Sequence, residues 1–109
     1  MLQNAKGSDE IFRFSIEGSL TDCMVGELRE AILSAIVRSE EIEIDLSRVS
    51  RIDSAGLLLM IDAKLEALTR EKSLHFVHYS KPVAEVLEQS GLVEFFAHPR
   101  LGRERTSNR

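Results

Sequence analysis

The stretch IDLSRVSRIDSAGLLLMIDAK, from Ile44 to Lys64, is the most informative about the fold because it joins a strand pattern directly to a helix pattern. Its first part continues the alternation of apolar and polar residues begun at residue 41, which is typical of a β-strand with one buried face. Its last part is apolar at helical spacing and predicts a helix over about residues 55–70. Between the two lies a short polar sequence, Asp53-Ser54-Ala55-Gly56, which we call the DSAG segment.

The same patterns recur along the rest of the chain. Alternation predicts strands over residues 11–17, 41–46 and 74–79, and a turn before the first of these predicts a partner strand over residues 2–5. A short strand is also expected over residues 93–96. Helical spacing predicts further helices over residues 24–38 and 82–90, the second starting at Pro82 and ended by Gly91.

Strands that alternate with helices are typical of an α/β fold with right-handed crossovers. We therefore expect one domain over residues 1–97, built on a mixed, mostly parallel sheet of about four to five strands. Because the strands alternate instead of being apolar throughout, the helices should cover mainly one face of the sheet. Residues 98–109 are polar and basic without periodicity, and we expect them to form a disordered tail.

Composition excludes several classes of protein. The formal net charge of −4 is unsuited to a general binder of nucleic acid or anionic membranes. The single cysteine, Cys23, cannot form an internal disulfide, which is consistent with a reducing compartment. The sequence begins without the apolar core of a signal peptide, and no apolar run approaches the roughly 20 residues that cross a bilayer. We expect a cytoplasmic protein that does not insert directly into membranes.

Residues suited to catalysis are scattered. His75 and His78 are three apart on a predicted strand, so their side chains should point to opposite faces and cannot chelate one metal together. Cys23 has no base nearby in sequence, and there is neither a glycine-rich phosphate loop nor a GxSxG motif. We therefore expect a protein that is not an enzyme and that carries no metal or cofactor.

The DSAG segment has two interpretations from its residues alone. In the first, Asp53 or Ser54 caps the helix, and Gly56 permits a close approach of helix and sheet. In the second, the segment presents an exposed hydroxyl at a helix N-terminus, where the helix dipole favours a phosphate. By the same capping rule, Thr21 or Asp22 is expected to cap the preceding helix.

Projecting the helix at about 100° per residue predicts which of its faces is buried. The predicted core face comprises Leu57, Met60, Ile61, Leu65 and Leu68. Lys64 falls within this face, so we expect its long side chain to carry the amine out to solvent. Leu58 falls at the boundary and Leu59 on the polar side. An apolar side chain exposed beside Ser54 would be a contact for a partner protein.

The segment from Ile44 to Leu68, with its strand, its DSAG segment and its helix, resembles the signature of the STAS domains, the sulfate-transporter and anti-sigma-factor-antagonist family. IEGSL resembles the family's G-E-L-D loop, although Ser19 and Thr21 stand where the family often has Glu and Asp. KPVAEVLEQSGLVEFF resembles its closing helix and turn. The resemblance covers about residues 11–96.

This resemblance implies a phosphorylation switch. In stand-alone bacterial STAS proteins, the serine matching Ser54 is phosphorylated by a serine kinase that is also an anti-sigma factor, and a PP2C-like phosphatase reverses the modification. The unphosphorylated protein binds the kinase and frees the sigma factor. The expected partner-binding residues are Thr21, Asp22, Asp53, Ser54, Ala55, Gly56, Leu58 and Leu59. We expect a monomer or a weak dimer that does not bind nucleic acid.

A second function remains open. IDLSRVSRID also resembles the STAS subunit of the Gram-negative phospholipid ABC transporter, which usually carries threonine at the position of Ser54. The serine therefore favours the switch over the transporter subunit. A STAS regulatory binding module without phosphorylation is a further alternative.

Overall fold

The structure, a computed structural model, describes residues 11–97. Its strands are β1 (Ile11–Leu20), β2 (Glu41–Ile52) and β3 (Ser73–Val77), and its helices are α1 (Val25–Arg38), α2 (Ser54–Thr69), α3 (Lys81–Ser90) and α4 (Val93–Ala97). The strands form one sheet in the order β1-β2-β3, and both neighbouring pairs are parallel. The predicted α/β fold is confirmed. Within residues 11–97 the sheet has three strands, fewer than predicted, while the strand expected over residues 2–5 and the tail lie outside the described residues.

The sheet buries one face under the helices. Ile42, Ile44 and Leu46 of β2 are fully buried, as is Leu74 beside them on β3. Residues of the opposite face are mostly polar and at least partly exposed. Two of them on β2 pair with neighbouring strands: Glu43 with Arg13 and Glu41 with His75. Coverage mainly on one face, which the alternating strands predict, is confirmed.

The β1–β2 pair extends further than the sequence predicts. A register shift lies between Ser15 and Glu17 and another between Gly18 and Ser19, where Gly18 has a φ of 89°. Past these irregularities the ladder continues until Leu20 lies opposite Ile52. The two strands therefore end side by side, and this sets the β1–α1 loop next to the start of α2.

Helix α2 turns a different face to the core from the predicted one. Leu59 is only 3% exposed and Leu65 is 47% exposed, so both predictions for these residues are wrong. The buried face comprises Gly56, Leu59, Met60, Ala63, Lys64 and Ala67. Three of these residues are small, which lets the helix lie close to the sheet. A helical projection based on the large apolar side chains does not identify this buried face, because α2 is apolar around most of its circumference.

Lys64 does not extend to solvent as predicted. Its side chain is buried, and its Nζ donates a hydrogen bond of 2.8 Å to the carbonyl oxygen of Leu74 on β3. Burial lowers the pKa of Lys64 from 10.5 to about 8, because the charged ammonium loses its hydration. The lysine is thus part of the contact between α2 and β3.

The C-terminal elements confirm one prediction and contradict another. Ser80 caps α3, a proline lies in its first turn, and Gly91 ends it in the left-handed conformation with a φ of 72°. The predicted strand over residues 93–96 is instead α4, whose Phe96 is buried against Phe76 with ring centroids 5.7 Å apart. The apolar residues at positions 92, 95 and 96 have helical spacing. The four residues 93–96, on which the strand prediction is based, are too few to show this spacing. Within residues 11–97 no helix combines the length and hydrophobicity needed to cross a bilayer.

Candidate functional site

The DSAG segment forms the junction between β2 and α2. Asp53 is extended, with φ −121° and ψ −172°, and its Oδ1 accepts a hydrogen bond of 3.0 Å from the backbone N–H of Gly56. Asp53 is therefore the cap of α2, and the alternative of a Ser54 cap is wrong. Ser54 is the first residue of the helix, and its side chain is exposed.

Gly56 is where α2 rests on the end of β1. A Cβ at this position would overlap the backbone carbonyl oxygen of Leu20 and press on the Leu20 side chain. The same carbonyl accepts a hydrogen bond of 3.3 Å from the backbone N–H of Asp53. The predicted close approach is confirmed, and because Gly56 is buried, it supports the surface without being accessible to a partner.

The β1–α1 loop, residues 21–24, lies against this junction. The carbonyl oxygen of Thr21 accepts hydrogen bonds from the backbone N–H groups of Met24 at 2.8 Å and Val25 at 3.1 Å. Helix α1 begins at Val25 without a side-chain cap, so the prediction that Thr21 or Asp22 caps it is wrong. The backbone N–H of Asp22 instead donates to Asp53 Oδ2 at 3.3 Å. Two segments that are about thirty residues apart in sequence are thus joined by one carboxylate.

An open depression lies between the loop and the junction. Its lining combines the ends of β1 and β2 with the loop: Ser19, Thr21, Asp22, Cys23, Met24, Arg51, Ile52 and Asp53. Cys23 is exposed at this depression. The structure therefore brings the predicted residues Thr21 and Asp22 next to Asp53, a proximity that depends on where two distant strands end.

The outward face of α2 extends the site from Ser54. Leu58, one helical turn further on, is 57% exposed, and Leu65, two turns later on the same side, is also exposed. Ala55 is half-buried beside Ser54. Leu59 cannot contact a partner because it faces the sheet, which corrects its predicted role. The spacing of Gly56, Ala63 and Ala67 would have located the inward face from the sequence.

The remaining polar groups lie apart from this site. His75 lies on the open face of the sheet, where its Nε2 is 2.9 Å from a Glu41 carboxylate oxygen, whereas His78 is exposed just after β3 with a φ of 56°. Across residues 11–97 no group of three or more His, Cys, Asp or Glu side chains is arranged to hold a metal ion.

The chain matches a model of a known protein family. The family model described as "Mlab, STAS domain" matches residues 5–97. A search of curated protein sequences finds no match.

Similar solved structures come from both regulators and transporters. A sulfate transporter family protein from Wolinella succinogenes has 17% identity and a TM-score of 0.66, over 79% of this chain and 70% of that one. The anti-sigma factor antagonist SpoIIAA in its unphosphorylated form has 21% identity and a TM-score of 0.60, over 77% and 78%. The STAS domain of a SulP transporter from Vibrio cholerae has 14% identity and a TM-score of 0.63, over 86% and 73%. At these identities the likeness shows a shared fold.

Proposed function

Because the chain belongs to the STAS domain family, we propose that it is an anti-sigma factor antagonist regulated by phosphorylation of Ser54. Unphosphorylated, it binds a serine kinase that is also an anti-sigma factor, and so releases the sigma factor. Phosphorylation of Ser54 ends this binding, and a PP2C-like phosphatase restores it. The protein acts in the cytoplasm by binding, without a catalytic turnover of its own.

The exposed position of Ser54 carries this proposal. Since Asp53 supplies the cap, the Ser54 hydroxyl is left accessible at the first residue of α2. A phosphate adds about −1.5 to −2 charges. At a helix N-terminus that charge is favoured by the dipole, so the fold tolerates it. The modification therefore changes the surface that a partner meets much more than it changes the stability of the domain.

The proposed binding surface surrounds this serine. We assign to it Thr21, Asp22, Asp53, Ser54, Ala55 and Leu58. Leu58 supplies an apolar contact next to the hydroxyl, while the loop and Asp53 supply polar groups. Apolar anchors surrounded by polar groups are typical of protein–protein interfaces. A negative charge on Ser54 would stand at the centre of this surface, where an unpaired charge opposes binding.

A STAS subunit of a phospholipid-type ABC transporter is the second candidate. It is supported by the resemblance of IDLSRVSRID to that subunit. In that function the same surface would bind another transporter subunit, and Ser54 would stay unmodified. A STAS regulatory module without phosphorylation would share this last property.

Pull-down from native cells, followed by a phosphorylation assay, tests the proposal. Wild-type protein should capture a kinase that phosphorylates Ser54 in the presence of ATP, as read by mass spectrometry, and Ser54→Ala should bind the kinase but accept no phosphate. In titration calorimetry, Ser54→Asp should bind the kinase at least tenfold more weakly than wild type. Ser34→Asp is the matched control, because it adds the same charge at an exposed serine of α1. Capture of ABC transporter subunits, with Ser54 unmodified, would replace the switch by the second candidate.

A further inference from the structure

We propose that Asp53 is a positioning residue whose carboxylate joins the β1–α1 loop to the start of α2. Its two oxygens serve two different elements: Oδ1 accepts from the backbone N–H of Gly56 at 3.0 Å, and Oδ2 accepts from that of Asp22 at 3.3 Å. The carboxylate thereby assembles residues 21–24 and the helix start into one surface. That this surface receives a partner rests on the proposed function, whereas the joining of the two segments does not.

The loop depends on this carboxylate for its attachment to the junction. The other hydrogen bonds of residues 21–24 are made within the loop or with the first turns of α1, and α1 has no side-chain cap that could anchor it. Within residues 11–97 the bond from Asp22 to Asp53 is the one hydrogen bond that links residues 21–24 to the DSAG segment. The segment before the loop is held separately, because the Leu20 carbonyl accepts from the backbone N–H of Asp53.

The two N–H donors explain why an aspartate is needed here. Serine and asparagine cap helices about as well as aspartate does, and threonine does so less well. Serine and threonine, however, offer one oxygen, and asparagine offers one oxygen and an amide that cannot accept from an N–H group. A carboxylate presents two acceptor atoms at once, and here one faces Gly56 and the other faces Asp22, whereas each of the other caps has a single acceptor atom.

Substitution of Asp53 by serine separates the two roles. Asp53→Ser keeps a cap for α2 but removes the acceptor for Asp22. We expect the exchange of the Asp22 amide with deuterium to accelerate about two- to tenfold, the range that corresponds to the loss of one exposed hydrogen bond. The amide of residue 53, bonded to Leu20, should keep its protection, and the melting temperature should stay close to that of wild type.

Cys23 offers a second reporter, since it is the single cysteine of the chain and is exposed in the loop. Its alkylation by iodoacetamide should accelerate in Asp53→Ser. Loss of a negative charge also raises the reactivity of a nearby thiol, so Asp22→Asn is the control. This variant removes a charge beside Cys23 and keeps the backbone N–H that donates to Asp53.

The outcomes decide the proposal without any partner protein. Faster Asp22 exchange, together with Cys23 alkylation faster in Asp53→Ser than in Asp22→Asn, supports the positioning role. Exchange at Asp22 equal to that of wild type overturns it. Should Asp53→Ser fail to fold, Asp53→Asn is measured in the same way, because its single oxygen can still cap α2. A failure to phosphorylate Ser54 would leave these measurements unchanged, so this proposal and the proposed function fail separately.

Discussion

Leu58 and Leu59 are adjacent leucines of α2 whose replacement by alanine should change stability by very different amounts. Leu59 is 3% exposed and packs in the core, whereas Leu58 is 57% exposed. Replacing a buried leucine by alanine removes its transfer free energy and leaves a cavity, which together cost about 2–5 kcal/mol. The same replacement at an exposed position usually changes stability by less than about 0.5 kcal/mol. Because both changes are Leu→Ala in one helix, helix propensity contributes equally to the two variants.

Melting temperatures make the contrast measurable. For a domain of this size, 1 kcal/mol shifts the melting temperature by roughly 4–8 °C. Leu59→Ala should therefore lower it by about 10 °C or more, and Leu58→Ala by no more than about 4 °C. Circular dichroism during thermal unfolding gives both values, and urea titration checks them as free energies of unfolding.

Two stability results would contradict this orientation of α2. If Leu58→Ala costs as much stability as Leu59→Ala, or if Leu59→Ala costs less than about 1 kcal/mol, then α2 is rotated about its axis relative to the described arrangement. The residues assigned to the binding surface would then have to change as well, since Leu58 was assigned through its exposure.

Further tests of these contacts concern Leu58, Gly56 and Lys64. Leu58→Glu should weaken binding to the kinase in titration calorimetry, because it places a charge beside Ser54. Its melting temperature should stay unchanged. An affinity equal to that of wild type would show that Leu58 is not part of the binding surface. Gly56→Ala should lower the free energy of unfolding by about 1–3 kcal/mol, the range for overpacking, because its Cβ meets Leu20. Unchanged stability in urea would contradict the close approach. The unfolded state holds the Lys64 proton up to about pH 10.5, while the native state releases it near pH 8, so this residue should make stability rise with pH between these values. The free energy of unfolding, measured in urea, should rise more between pH 7.5 and pH 9 for wild type than for Lys64→Met. An equal rise in the two proteins would disprove the buried amine.

The sequence alone determined those features of the protein that depend on neighbouring residues. Alternation identified the three strands, and helical spacing identified α1, α2 and α3, because each pattern reports on one element and one buried face. Gly91 marked the end of α3 through its left-handed conformation, and the DSAG segment marked the start of α2. The same local rules predict an exposed serine after the helix cap, and so they also locate the candidate site.

Features that depend on residues far apart in the chain follow only from the three-dimensional structure. Gly56 lets α2 approach the Leu20 carbonyl so closely that a Cβ would overlap it, and this distance cannot be read from any pattern within the helix. Lys64 is buried because a strand carbonyl is within its reach, which a helical projection cannot show. Asp22 meets Asp53 because β1 and β2 end side by side after two register shifts. Local periodicity specifies which elements form, but the contacts that build the site depend on where separate elements end in space.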